Sequence, residues 1–234
     1  MLNGICVAVV AAGLSAGWFE SDPYEEEREL RVEATGIETL VVEAGAGSLR
    51  VRGVEGLKAI ELLATVQVQE GEEEAKETIR EHLVLSLERS RSSAKLVSRF
   101  AGERSVNGGI KLEVRVPSGT GLDIDDGSGS IVVRDTRAPV RIKDTSGSIT
   151  LDSVGTVDIQ DREGSVTVAE ASGNVRIQDG SGSIRVSGVR GSVTIDDGSG
   201  SIRVHDVTQD LVVLDDGSGS LRFTNIGGEV VRRD

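Results

Sequence analysis

Six aspartates recur along the second half of the chain at nearly constant spacing. They are Asp126, Asp144, Asp161, Asp179, Asp197 and Asp216, at steps of 18, 17, 18, 18 and 19 residues. Each opens a small-residue turn, as in Asp126-Gly127-Ser128-Gly129-Ser130-Ile131 and Asp179-Gly180-Ser181-Gly182-Ser183-Ile184. Two chemistries suit a carboxylate in that place. It can cap its own turn by accepting hydrogen bonds from the backbone N–H groups that follow. It can also ligate calcium, which Gly/Asp repeats of nine residues bind between turns in toxin-type β-rolls. Those repeats place the Asp after the glycines, whereas here it precedes them. The cap is therefore the expected role, and the six aspartates are calcium candidates only on the second reading. Stacked carboxylates about 5 Å apart also repel unless something compensates them.

Arg185, Arg203 and Arg222 hold equivalent places in successive repeats. They are expected to stack on one outer face. There they would either grip an anionic polymer or stand solvated and neutralised by nearby acids. Catalytic candidates are sparse. Asp152 and Asp158 are isolated acids, and His82 and His205 have no Ser or Cys partner by motif. The glycine-rich segments recur at every turn, so they are turn chemistry and not a single phosphate-binding loop. Outward Thr and Ser residues form no regular Thr-x-Thr ladder of the ice-binding kind. No catalytic residue and no cofactor is expected.

The elements that position these side chains are read from the repeat. Between the Asp copies lies a weaker half-repeat: Pro139-Val140, Thr156-Val157, Asn174-Val175, Ser192-Val193 and Leu211-Val212. Each half reads as a turn followed by a short alternating strand, because side chains alternate across a strand. One inward set is expected to be Ile131/Val133, Ile149/Leu151, Val166/Val168, Ile184/Val186, Ile202/Val204 and Leu221/Phe223. The other is Val140/Ile142, Val157/Ile159, Val175/Ile177, Val193/Ile195 and Val212/Leu214. Two strands and two turns close one coil of a β-solenoid of about 18 residues. Four buried aliphatics per coil, at ~1.5–3 kcal/mol each, cannot offset the ordering of some eighteen residues at ~1–2 kcal/mol each. Only the stack is expected to fold.

The first half of the chain is less regular. Thr39-Leu40-Val41-Val42-Glu43 and Gly47-Ser48-Leu49-Arg50-Val51 read as a first coil. Leu57 to Gln69 alternates as a longer strand, and strands are expected near 83–88, 94–99 and 110–116. Glu72 to His82 is the one good helix candidate, with its acids early and Lys76 and Arg80 later, as the helix dipole favours. Its apolar stripe of Ala75, Ile79 and Leu83 is narrow, so it should lie on the solenoid.

Composition agrees with a thin aliphatic core. The 234 residues include 30 Gly but only one Trp, one Tyr and three Phe. So few aromatics leave no base-stacking platform and no aromatic sugar subsites. With 26 Lys+Arg against 39 Asp+Glu, the net charge is −13. That argues against nucleic acid as a partner. One Cys permits no internal disulfide, and two His with one Cys leave little for a zinc site.

Ile5 to Phe19 is an apolar run too short to span a membrane comfortably. Residues 1–19 are expected to be a signal peptide or other hydrophobic segment, with Ser15 and Gly17 at the −3 and −1 cleavage positions. A first strand or a short membrane anchor are the other readings. Residues 20–36, with Glu25-Glu26-Glu27, are expected to be an acidic linker. Residues 37–234 form the solenoid domain, irregular over 37–120 and regular over 121–234.

The Gly-Ser-Leu first coil, the Glu/Ala-rich helix, Val116-Pro117-Ser118-Gly119 and the alternating Gly-Ser-Gly-Ser-Ile and Val-Arg-Gly-Ser-Val repeats resemble the bacterial putative-adhesin family of β-solenoid domains. The resemblance covers roughly residues 37 to 234. It implies an exported, secreted or envelope-associated protein without catalytic activity. A cell-surface protein or polysaccharide would be its partner. Its last repeat, Gly227 to Asp234, has no obvious capping helix, so self-association through the solenoid ends is a second expectation.

Overall fold

The computed structural model describes residues 8–10, 23–102 and 106–233. The expected signal segment, apart from the strand at 8–10, lies outside the described residues. The fold is all-β, one 17-stranded sheet with one helix. The first half comprises β1 (Ala8–Val10), β2 (Tyr24–Glu33), β3 (Thr39–Val54), β4 (Ala59–Val68), α1 (Glu72–His82), β5 (Leu83–Ser90), β6 (Ser93–Phe100) and β7 (Gly108–Pro117). The repeats supply β8 (Gly121–Arg134), β9 (Val140–Val154), β10 (Val157–Ala171), β11 (Val175–Asp179) and β12 (Gly182–Val189). They continue with β13 (Val193–Asp197), β14 (Gly200–Val207), β15 (Leu211–Asp215), β16 (Ser220–Ile226) and β17 (Val230–Arg232). Among the described residues no helix is long and apolar enough to cross a membrane.

Register follows the repeat. β8, β9 and β10 pair in parallel with like residues opposite, Ile131 facing Ile149 and Val166. After β10 the pairing divides into two parallel ladders, β11-β13-β15-β17 and β12-β14-β16. The Gly-Ser-Gly segments do not interrupt β8, β9 and β10. Gly129, Gly147 and Gly164 pair with one another inside the ladder. The turns expected there are bends within continuous strands. Glycine is required at this bend: Gly147 has φ +135°, and a Cβ on it would lie 1.7 Å from the Gly129 carbonyl oxygen.

The first half departs from expectation in two places. Residues 24–33 are not a linker. They form β2, antiparallel to β4, with Leu30 buried and Arg28 paired to Glu26 at 2.7 Å. The alternation of acids with Leu30 and Val32 lets one face take the ladder while the other meets solvent. Nor is Thr39–Val54 an end layer. β3 lies between β8 on one side and β6 plus β7 on the other. β4 and β5 then pair antiparallel to β7 and β6. The helix spans 72–82 as expected, and Ala75 and Ile79 enter the common core.

The expected inward pairs of the repeats are buried through Val204. The last repeat differs. β13 and β15 pair Ile195 with Val213 and then Asp196 with Asp215, leaving Leu214 as a bulge. An extra residue reverses side-chain facing before it. Leu211 and Val213 therefore point inward, in place of Val212 and Leu214. Leu221 is only half-buried and Phe223 is 44% exposed, because among the described residues β16 pairs with β14 alone. A third inward column, Thr136, Val154, Ala171, Val189 and Val207, completes the core.

Candidate functional site

The aspartate column occupies inward positions. In β9, Val140, Ile142 and Asp144 alternate inward, and the same pattern gives Asp126, Asp161, Asp179 and Asp197. All six aspartates are buried, none more than 8% exposed. In-register pairing places Asp126 opposite Asp144, then Asp161, Asp179 and Asp197. In β3 the equivalent place is Ala44.

One carboxylate oxygen holds the turn. The backbone N–H of Ser146 donates to Asp144 Oδ1 at 3.3 Å, and those of Ser181 and Ser199 donate to Asp179 and Asp197 at 3.2 Å. In the last repeat the bulge shifts this by one residue, and Gly217 donates to Asp215 at 2.8 Å. Asp216 instead meets Arg232 at 3.0 Å. The second oxygen is the costly one. Oδ2 of Asp144, Asp179 and Asp197 and both carboxylate oxygens of Asp161 are buried without a hydrogen-bond partner. Burial first, and the neighbouring carboxylates second, push Asp126 and Asp179 up to about 7 and Asp161 up to about 6. Asp144 and Asp197 are also raised, chiefly by burial.

The cap role is taken up at Asp144, Asp179 and Asp197. Among the described residues no three acid, His or Cys side chains gather in a metal-binding group. The depression of about 370 Å³ over Asp126, Asp144 and Asp161 also carries Lys143 and Arg162. Cations there oppose a divalent ion, which wants a shell of oxygen ligands.

Arg185, Arg203 and Arg222 are exposed and stand opposite one another in β12, β14 and β16. Arg185 donates to Ser183 Oγ at 3.0 Å and Arg203 to Ser201 Oγ at 3.5 Å. Among the described residues none of the three forms an ion pair with a carboxylate within 4 Å. Thr167, Thr150 and Val132 precede them in the column, with Arg50 beyond.

The isolated candidates stay apart. Asp158 pairs with Arg141 at 3.6 Å, and Ser153 Oγ donates to Asp152 at 3.0 Å. His82 Nδ1 lies 2.9 Å from the Ala101 carbonyl oxygen, and His205 Nδ1 lies 2.9 Å from Asp206. Among the described residues no hydroxyl or thiol bonds either imidazole.

Two features escaped the sequence reading. The first is a left-handed corner. Asp135, Ser153, Glu170, Gly188, Asp206 and Asn225 all have φ between +53° and +66°. Its signal was present in the Asp, Gly and Asn at equivalent places, the residues that tolerate that conformation best. Ser153 and Glu170 hid it. The second is a cleft of about 820 Å³ beside that corner, where Arg52, Arg115, Arg137 and Arg190 converge. Arg137 and Arg190 follow Thr136 and Val189 at equivalent repeat places, and Arg52 and Arg115 stand opposite each other in β3 and β7, but the repeats between carry Gly155 and Ser172.

No family model and no curated protein matches the chain. The chain has low similarity to several solved structures. A putative cell adhesion protein from Clostridium sporogenes is 12% identical, with 91% of this chain and 100% of that one covered at a TM-score of 0.40. A putative lipid binding protein from Parabacteroides distasonis is 13% identical over 89% and 94%, at 0.45. A putative adhesin from Bacteroides fragilis is 12% identical over 88% and 96%, at 0.39.

Proposed function

We propose that the chain is a non-catalytic β-solenoid of about 18 residues per coil, acting at the cell surface or envelope as an adhesive or structural binding module. The two parallel ladders that diverge after β10, each taking one strand from every repeat, support the coil. The apolar run over residues 5–19 supports export. The observation that carries the binding role is the register of Arg185, Arg203 and Arg222. It sets three guanidinium groups in one exposed column, about 4.8 Å apart, on a protein of net charge −13. Strand geometry fixes the spacing of the three backbones, which sets the interval a partner's anions must match. A partner bearing anions at matching intervals, on a polysaccharide or a surface protein, is the expected ligand.

Binding of the labelled full chain to intact bacterial and host cells tests this. The variant with Arg185, Arg203 and Arg222 all changed to Ala should bind at least tenfold less, and neither protein should cleave a panel of polysaccharides. Equal binding by the variant, or turnover of any glycan, would overturn the reading.

A second reading is self-association. Among the described residues, the two large exposed apolar side chains, Phe223 and Val230, both lie in the final repeat. β16 and β17 each leave one edge unpaired. Nearby Arg222, Arg232 and Arg233 work against stacking, as edge charges do. Sedimentation decides it: a monomer at high concentration removes this reading.

A further inference from the structure

We propose that the cleft at the left-handed corner binds a linear, carboxylate-bearing polysaccharide lying along the stack. This rests on the surface-binding reading and gives it a second site and a ligand class. The cleft takes Arg115 from β7, Arg52 from β3, Asp135 and Arg137 after β8, Ser153 from β9, Glu170 from β10 and Arg190 after β12. It therefore crosses six neighbouring strands, about 24 Å at the ordinary strand spacing. That shape admits an extended chain better than a compact metabolite.

The lining fits sugar acids. Four guanidinium groups offer paired N–H donors to carboxylates. Arg52 is held by Asp135 at 3.1 Å, Arg137 by Glu55 at 3.4 Å and Arg115 by Glu61 at 2.8 Å. These are surface pairs; the Arg52 and Arg137 side chains are 72% and 71% exposed. A ligand carboxylate can exchange into such pairs at small cost. Arg190 is exposed, and among the described residues it pairs with no carboxylate. Glu55, Asp135 and Glu170 interleave with the cations. They repel the denser charge of a polyphosphate more than a sugar acid with one carboxylate per residue, and they accept hydrogen bonds from sugar hydroxyls. Ser118 and Ser172 add hydroxyls along the same wall.

The backbone carries a second sign. Most of the corner column is Asp, Gly or Asn, which take φ > 0 readily. Ser153 and Glu170, the two that do not, both line the cleft, at φ +57° and +53°. Strain held in a residue that faces a concave surface points to a use for that side chain.

The test is calorimetric titration of the full chain with polygalacturonate oligomers, neutral dextran and inorganic polyphosphate at fixed salt. Polygalacturonate should bind, dextran should not, and polyphosphate should bind at least tenfold more weakly. Arg137→Ala/Arg190→Ala should weaken polygalacturonate binding at least tenfold, whereas Lys76→Ala on α1 should leave it unchanged and Arg185→Ala/Arg203→Ala should weaken it less than the cleft variant does. Glu170→Gly should weaken binding several-fold while raising the melting temperature by about 2–4 °C. Absence of polygalacturonate binding, tighter polyphosphate binding, or full binding by the Arg137/Arg190 variant each overturns the cleft. Loss of binding in the Arg185/Arg203 variant alone would overturn the cleft and leave the surface-binding reading standing.

Discussion

Asp161 and Asp179 stand opposite each other in register on adjacent parallel strands, both buried, with Asp179 Oδ2 and both Asp161 carboxylate oxygens lacking a hydrogen-bond partner. Two desolvated carboxylates one strand apart cannot both stay ionised cheaply. Burial and the neighbouring carboxylates push Asp179 up to about 7 and Asp161 up to about 6, so an inverted acid response is expected.

Stability should rise as pH falls from 8 to 5. The aspartates have a reference value of about 3.9 when unfolded and about 6 to 7 when folded for Asp126, Asp161 and Asp179. Between those values the folded state binds more protons than the unfolded state, so stability falls as pH rises. The contribution is complete below about pH 4 and is lost as pH passes through 6 to 7. Urea midpoints at pH 5, 6, 7 and 8 check this; a midpoint that climbs with pH would contradict it.

Asp179→Asn should stabilise at pH 8 and do little at pH 5. Asn keeps an oxygen for the Ser181 N–H and removes the charge. A gain of ~1 kcal/mol would lift the melting temperature by about 2–4 °C. Asp179→Ala removes the acceptor as well and should fall below Asp179→Asn at both pH values, by ~1–3 kcal/mol for the stranded N–H. Equal stability of the two variants would show that the cap contributes nothing.

Gly147→Ala should prevent the bend. The added methyl would overlap the Gly129 carbonyl at 1.7 Å, so the ladder itself must part. The expected loss is more than about 3 kcal/mol, well beyond an ordinary surface change. Gly119→Ala, with nothing within 4 Å of the new Cβ, is the matched control and should change stability by less than ~0.5 kcal/mol. Thermal melts of both separate packing from composition.

Calcium should not change the melting temperature. A ligand of the folded state raises stability by mass action, so a bound ion would show as a shift between millimolar calcium and chelator. With Asp144, Asp179 and Asp197 each lending one oxygen to its own turn and Asp216 paired to Arg232, the curves should coincide. A rise of several degrees in calcium would restore the aspartates as ligands.

The final repeat should tolerate substitutions that the interior does not. Phe223 is 44% exposed, whereas Val204, opposite it, is 2% exposed. Phe223→Ser should cost under ~1 kcal/mol and Val204→Ser more than ~2 kcal/mol. Denaturant titration distinguishes them.

What was legible in the sequence was whatever depended on local period. Strand alternation placed Ile131, Ile149 and Ile184 inward, and charge order placed the helix at Glu72–His82. What depended on partners far along the chain was not. Nothing near Thr39 announces that β6 and β7 will lie beside it, because that pairing joins segments some fifty to seventy residues apart. Glu25-Glu26-Glu27 read as solvated because its apolar partner strand is β4. The one-residue slip at Leu214 was hidden inside an otherwise regular repeat, and it reversed the facing of β15. The aspartates were found as a series, but their burial came from alternation continuing one step past Ile142 and Ile159. The arginine cleft was hidden because Gly155 and Ser172 interrupt the equivalent places of Arg137 and Arg190, and because Arg52 and Arg115 meet only through the pairing of β3 with β7.

The claim on which everything else stands is the in-register stack of repeats. Cysteines at Arg185 and Arg203, in a chain carrying Cys6→Ser, should lie about 4.8 Å apart between Cα atoms, within disulfide reach. Cysteines at Arg185 and Arg222 should lie two strands apart, beyond it. Mild oxidation should close the first pair within one molecule and leave the second reduced. Failure of the Arg185/Arg203 pair to close, or equal closure of both, would contradict the stack and the ladders built on it.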